Sequence, residues 1–325
     1  MMESLIIAAI AFVAAAIGGI LLIPLLHRLK FGQEIREEGP KWHKSKSGTP
    51  TMGGFIFIIA AIIALAFGAF LFGKINTKEM LHGMAALMTA ALGFGAIGFI
   101  DDYIKVILKR NLGLKAGQKF MLQLLVALLF TVWLVSSGVI EPEIIIPFTG
   151  RIISMSYFIY IPFAVLVMLA AVNSVNLTDG IDGLASCVTL VVCIFYCITS
   201  NIKGVTPVSM LSSALAGGLI GFLIYNRFPA KVFMGDTGSL FLGGTVAAMA
   251  IYMKNPLALL IVGFVYVMES LSVIIQVTWF KKTGKRIFKM SPIHHHFEMC
   301  GWSEKKIVAV FSAVTLVLCI IGFFA

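Results

Sequence analysis

The 325-residue sequence predicts an all-α, polytopic membrane protein with about ten transmembrane helices. Three observations carry that reading. The chain is 59% hydrophobic and only 12% charged, where a soluble domain carries about 25% charged residues, and its mean hydropathy is +1.00. Apolar stretches recur along its whole length, many near the roughly 20 residues that a spanning helix needs. The basic residues are also sorted, with alternate polar segments holding 20 of the 25 Lys and Arg.

Taken in order, the apolar spans are 5–26, 53–72, 80–100, 121–137, 156–172, 184–200, 208–225, 240–253, 257–280 and 307–325. The first is too long for a signal peptide and lacks its basic start and small-residue cleavage site, so it reads as a retained helix. The eighth is short, and the ninth is long enough to tilt, break or run past the bilayer. Polar segments 27–52, 101–120, 173–183, 226–239 and 281–306 form the basic set, while the other set holds only Lys74, Lys78, Arg151, Lys203 and Lys254. The positive-inside rule puts the first set in the cytoplasm and both termini outside. Within external segment 139–155, apolar residues alternate with turn residues such as Pro147 and Gly150, which predicts a small hairpin.

No repeat, low-complexity tract or soluble domain interrupts the pattern, so residues 1–325 read as one membrane domain. The formal charge of +10 fits basic cytoplasmic loops better than a nucleic-acid partner. Cys187, Cys193, Cys197, Cys300 and Cys319 are odd in number and lie mostly in apolar runs, which argues for packing and against a disulfide framework.

All five Asp (Asp101, Asp102, Asp179, Asp182 and Asp236) fall where spans meet the cytoplasmic segments. Such acids are costly near lipid, and their convergence on one face calls for cations, a divalent metal above all. Phe233-Met234-Gly235-Asp236-Thr237-Gly238-Ser239 offers a hard oxygen ligand beside glycines that admit close approach; its plain alternative is a helix cap. Asp101 and Asp102 close the third span, and adjacent helical residues point about 100° apart, so the two are expected to divide their work. Asp179 and Asp182 share one face of a turn, and Asn176 offers the donor and acceptor that a base edge requires. That loop lacks the twelve-residue spacing of a calcium loop; a plain turn with caps is its other reading.

His294-His295-His296 cannot all ligate one ion from a regular helix. At a helix start two could reach a phosphate while the third packs. The basic run 281–289 also suits anionic lipid, and the first loop, with Lys46 and Thr51, suits a polyanion. Metal ligands, phosphate-binding cations and an amide at a membrane edge are the parts of a phosphoryl-transfer site with a lipid substrate.

Pro50-Thr51-Met52-Gly53-Gly54, Asp101-Asp102-Tyr103, Asn176-Leu177-Thr178-Asp179-Gly180-Ile181-Asp182-Gly183, the Asp236 heptapeptide and Pro292-Ile293-His294-His295-His296-Phe297-Glu298 resemble the phospho-N-acetylmuramoyl-pentapeptide transferases. These are a branch of the polyprenyl-phosphate N-acetylhexosamine-1-phosphate transferase superfamily. The likeness runs from the first loop to the last. It implies transfer of phospho-N-acetylmuramoyl-pentapeptide from its UDP carrier to undecaprenyl phosphate, yielding lipid I and UMP. It also implies a ten-helix homodimer in the bacterial plasma membrane, with the site facing the cytoplasm. By the same resemblance Asp101, Asp102, Asp236 and His294 are catalytic, with Mg²⁺ at Asp236 and Asp102. Lys46, Thr51, Asn176, Asp179, Asp182, Asn226, Phe233 and His295 match positions for the nucleoside-sugar, Phe233 stacking on uracil, while Lys105 and Lys119 meet phosphates. Ile181 and the 115–119 loop depart from the usual pattern.

Two rivals stand beside this reading. One is a superfamily member using UDP-N-acetylglucosamine, which the triple histidine disfavours. The other is a cation-coupled transporter, which should carry charge at mid-membrane; Glu269 alone lies there, marking a helix break or a polar contact.

Overall fold

A computed structural model describes residues 1–28, 46, 48–73, 77–107 and 113–325. Most of the first loop (29–45 and 47), with Lys30, Lys41 and Lys44, and Lys109 and Arg110 of the second lie outside the described residues. The elements run α1 (Met2–Arg28), α2 (Gly54–Phe72), α3 (Lys78–Ile107), α4 (Ala116–Ser136), β1 (Glu143–Ile145), β2 (Ile152–Ser154), α5 (Tyr157–Thr178), α6 (Leu184–Lys203) and α7 (Thr206–Asn226). They continue with α8 (Gly235–Tyr252), α9 (Leu259–Val262), α10 (Phe264–Thr283), α11 (Ile293–Met299) and α12 (Glu304–Phe323).

Among the described residues, nine helices are long and apolar enough to cross a membrane: α1 to α7, α10 and α12. The expected span at 240–253 is met by α8, which differs in kind. It begins earlier, its first turn carries Asp236, Thr237 and Ser239, and every residue from Thr237 to Ile251 is buried. It is the central post of the bundle, enclosed by protein, so it needs less hydrophobicity than a helix facing lipid. Small residues allow this enclosure. A Cβ at Gly244 would strike the Phe94 ring of α3, and one at Gly243 would strike the Val172 backbone of α5. The ninth expected span breaks at Gly263 into α9 and α10.

The hairpin forms as expected, with Ile144 opposite Ile153 in an antiparallel pair. It docks on the turn after α8: Lys254 Nζ meets Glu143 at 2.8 Å, and Ile145 N donates to Lys254 O at 2.8 Å. Lys254 and Asp236 therefore mark opposite ends of α8. Its 18 residues span about 27 Å at 1.5 Å per residue, close to the roughly 30 Å of a hydrocarbon core. All five described cysteines are free thiols.

Candidate active site

The site is built on the N-terminus of α8. No residue beside that terminus caps it with a side chain, so its first amides need an acceptor from elsewhere. Asp102, near the end of α3, supplies it. Its Oδ1 accepts from Asp236 N at 3.1 Å, and its Oδ2 accepts from Thr237 N at 2.8 Å and Thr237 Oγ1 at 2.7 Å. A negative charge there also meets the positive end of the helix dipole. The approach is close: a Cβ at Gly98 would overlap the Asp236 carbonyl, and one at Gly235 would be caught between Asp102 Oδ2 and Thr51 Oγ1.

Asp101 faces another way, as the helical turn requires. Its Oδ1 accepts from Leu114 N at 2.8 Å, and its Oδ2 pairs with Lys105. Asp236 Oδ2 receives both Lys105 Nζ and Lys119 Nζ at 2.8 Å, while Oδ1 accepts from Asn176 Nδ2 at 2.8 Å. Asn176 also reaches Ser239 Oγ at 2.8 Å. One oxygen each from Asp101, Asp102 and Asp236 lies within 4.8 Å of the others. Three carboxylates against two lysines leave one formal negative charge, and the hard oxygen donors suit a small divalent cation.

The loop between α5 and α6 joins this cluster to two further groups. Burial, and then the charges of Asp236, Asp102 and Asp182, raise the Asp179 carboxyl well above the usual carboxylate range. The next residue, Gly180, makes room for His294, because a Cβ there would collide with His294 Nε2. His294 is 1% exposed, and its Nδ1 lies 3.0 Å from Glu269 Oε2, which is fully buried. Among the described residues, His294 Nε2 and Glu269 Oε1 have no hydrogen-bond partner. His295 Nδ1 meets Glu298 Oε2 at 2.6 Å, and His296 Nδ1 accepts from Lys289 N at 3.1 Å while its ring packs on Phe288. The three imidazoles therefore splay, as expected, from a short helix.

The second group is a buried triad. Lys46 Nζ lies 2.7 Å from both Asp182 Oδ1 and Glu304 Oε2, and Glu304 Oε2 also accepts from Asp182 N at 3.1 Å. Asp182 Oδ2 accepts from Ala230 N at 2.9 Å, which ties the loop after α7 to the same carboxylate. Asn226 is buried and spends its amide locally, accepting from Ser186 Oγ at 2.7 Å and donating to Val232 O at 3.0 Å. The half-buried Phe233 is held through its backbone, with N donating to Pro50 O and O accepting from Gly53 N, each at 2.8 Å.

Asp101, Asp102, Asp236, Lys105, Lys119 and Asn176 thus form one bonded network, with Thr51 and Asp179 beside it. Lys46 and Asp182 form a second, and His294 reaches the loop between them through Gly180. Sequence reasoning missed Glu269 and Glu304 as members of the site. For Glu269 the signal was present, since it is the single acid inside a span, where an unpaired carboxylate is costly.

This arrangement defines a polytopic membrane transferase with an acidic site at one end of the bundle. The family model described as glycosyl transferase family 4 matches residues 84–254. The first signature of the phospho-N-acetylmuramoyl-pentapeptide transferases matches residues 46–58, the stretch holding Lys46 and Thr51. Proteins bearing that name are similar over nearly the full chain. One from Clostridium botulinum (strain Eklund 17B / Type B) is 53% identical over 97% of this chain and 94% of its own. One from Acetivibrio thermocellus is 52% identical over 97% and 93%, and one from Clostridium perfringens is 51% identical over 97% and 96%. The chain belongs to the phospho-N-acetylmuramoyl-pentapeptide transferase family.

Proposed function

We infer that this chain transfers phospho-N-acetylmuramoyl-pentapeptide from its UDP carrier to undecaprenyl phosphate, forming lipid I and UMP in the membrane step of peptidoglycan synthesis. The observation that carries this reading is the Asp101–Asp102–Asp236 cluster with Lys105 and Lys119 on it, at one end of a membrane bundle in a chain of this family. A site with three acids and two lysine ammonium groups suits a pyrophosphate and an attacking phosphate, both polyanions.

The donor set fits Mg²⁺, with Asp236 as principal ligand and the neighbouring carboxylates in support. When bound, such an ion would supply charge neutralisation on the phosphoryl oxygens. The chain's own groups do the rest. Asp102 serves chiefly to fix the helix that presents Asp236, because its oxygens already accept three hydrogen bonds. Asp101 orients Lys105, one turn on along the same helix face. Lys105 and Lys119 hold the phosphates of donor and acceptor. The acceptor phosphate is ionised at neutral pH, so it attacks the sugar-proximal phosphorus directly, with little need of a base. His294 acts as the site's histidine from its place against Gly180, beside Asp179. Lys46, Thr51, Asn176, Asp179, Asp182, Asn226, Phe233 and His295 shape and line the nucleoside-sugar pocket.

The distribution of basic residues supports a cytoplasmic site in the plasma membrane, with both termini and the hairpin outside, and the protein acts there as a homodimer. The test is UMP release from the UDP-linked muramoyl pentapeptide by purified protein. It should depend on both polyprenyl phosphate and Mg²⁺; release without the lipid, or with UDP-N-acetylglucosamine as the preferred donor, contradicts the reading.

A further inference from the structure

An open groove of about 830 Å³ lies beside the site, between α6, α7 and α12. None of Asp101, Asp102 and Asp236 lines it. Its walls are apolar, formed by Leu190 and Val191 of α6, Ile224 of α7 and Val308 of α12. Ser312 Oγ is sealed into that wall with no partner among the described residues. Its rim is cationic: Arg227, Lys231 and Lys305 are all exposed there, and Lys305 Nζ sits 5.5 Å from the centroid of the Phe228 ring. Asp182 also borders the groove, but it belongs to the triad with Lys46 and Glu304, which has one net negative charge against three rim cations.

The two parts of this lining sit at different depths. Arg227 and Lys231 follow the end of α7, and Lys305 is in the first turn of α12, so all three cations lie where helices leave the bundle. The apolar wall lies further along the membrane-crossing helices. Ser312, seven residues beyond Lys305, is about 10 Å deeper at 1.5 Å per residue. Cations at headgroup level above an apolar slot complement one kind of molecule, an amphiphile with an anionic head. A free anion would leave the slot unused, and a zwitterionic lipid would leave the cations uncompensated.

We propose that this groove binds an anionic phospholipid, with the headgroup phosphate on Arg227, Lys231 and Lys305 and an acyl chain along Leu190, Val191 and Val308. The site is separate from the one that would hold the reacting phosphates. The test uses the full chain, purified in detergent, with phosphatidylglycerol, phosphatidylcholine or polyprenyl phosphate added and bound lipid read by native mass spectrometry. Phosphatidylglycerol should be retained in preference to phosphatidylcholine. Removing the rim charges together (Arg227→Gln, Lys231→Gln, Lys305→Gln) should weaken that retention by roughly tenfold or more. Ala309 also lines the apolar wall, and Ala309→Trp, which fills the slot and keeps every charge, should weaken it as much. UMP release in phosphatidylcholine vesicles by both variants establishes that they fold. Equal retention by wild type and both variants overturns the proposal, as does equal retention of the two phospholipids. Displacement of phosphatidylglycerol by polyprenyl phosphate overturns it too, because the groove would then be the acceptor's.

Discussion

Glu269 Oε2 lies 3.0 Å from His294 Nδ1 in a place where neither side chain reaches solvent. A hydrogen bond across this contact sets Nδ1 toward the carboxylate and leaves Nε2 packed against Gly180, where a Cβ would collide with it. The acid thus sets both the tautomer and the direction of the ring, as carboxylates behind metal-bound histidines do. Glu269→Gln keeps the volume but lets the ring adopt either tautomer. We expect turnover to fall by about a hundredfold, the cost of a slightly misplaced catalytic group, with the KM for the UDP donor little changed. Steady-state kinetics on purified protein check this; a KM effect alone would assign Glu269 to donor binding.

Gly180 offers an independent handle on the same ring. A Cβ at this position would collide with His294 Nε2, so Gly180→Ala must push the imidazole off its line. We expect Gly180→Ala to lose nearly as much activity as His294→Ala, and the double variant to lose no more than the worse single, since the two changes act on one unit. Multiplicative losses in that cycle would separate Gly180 from the histidine.

Asp102 and Asp101 are adjacent yet predict different outcomes. Removing the Asp102 carboxylate strands Asp236 N, Thr237 N and Thr237 Oγ1 at the head of the central helix, and each stranded buried group costs about 1–3 kcal/mol. Asp102→Ala should therefore lower the thermal midpoint in detergent sharply, beyond its effect on catalysis. Asp101→Ala frees one backbone donor, Leu114 N, and takes from Lys105 one of its two carboxylate partners, leaving Asp236. It should cost activity with a much smaller loss of midpoint. Equal midpoints for the two variants would mean that Asp102 does not pin α8.

The parts of this site that were legible in the sequence are those with local signatures. Apolar runs and sorted lysines set out the helices, and five Asp at span ends marked the face where chemistry gathers. Asp101 and Lys105, four apart on one helix, could be paired by spacing alone. Lys119 and Asp236 are separated by 117 residues, and Lys46 and Glu304 by 258, and no periodicity reports such pairings. Glu304 carried no signal, because nothing near it in sequence shows the ammonium it receives. The enclosure of α8 was hidden for a related reason: hydropathy measures aversion to water and does not distinguish lipid from protein as the alternative. Its glycines, Gly238, Gly243 and Gly244, were the available hint, since each admits a neighbouring helix where a side chain would not fit.

Asp236 is where the metal reading stands or falls. Its Oδ2 now holds two ammonium groups and its Oδ1 one amide, so the carboxylate charge is the hub of the network. Asp236→Asn keeps the shape and removes that charge, so both the attraction for Lys105 and Lys119 and the hard anionic ligand are lost together. We expect no turnover at any point of a Mg²⁺ titration, because added ion cannot restore a missing ligand. Lys119→Met separates the two losses: it removes one phosphate-facing cation and leaves all three carboxylates. It should raise KM for substrate while the Mg²⁺ concentration at half-maximal activity stays the same or falls, one competing charge having gone from Asp236. Undiminished activity in Asp236→Asn, or a rightward Mg²⁺ shift in Lys119→Met, would remove Asp236 from the metal role.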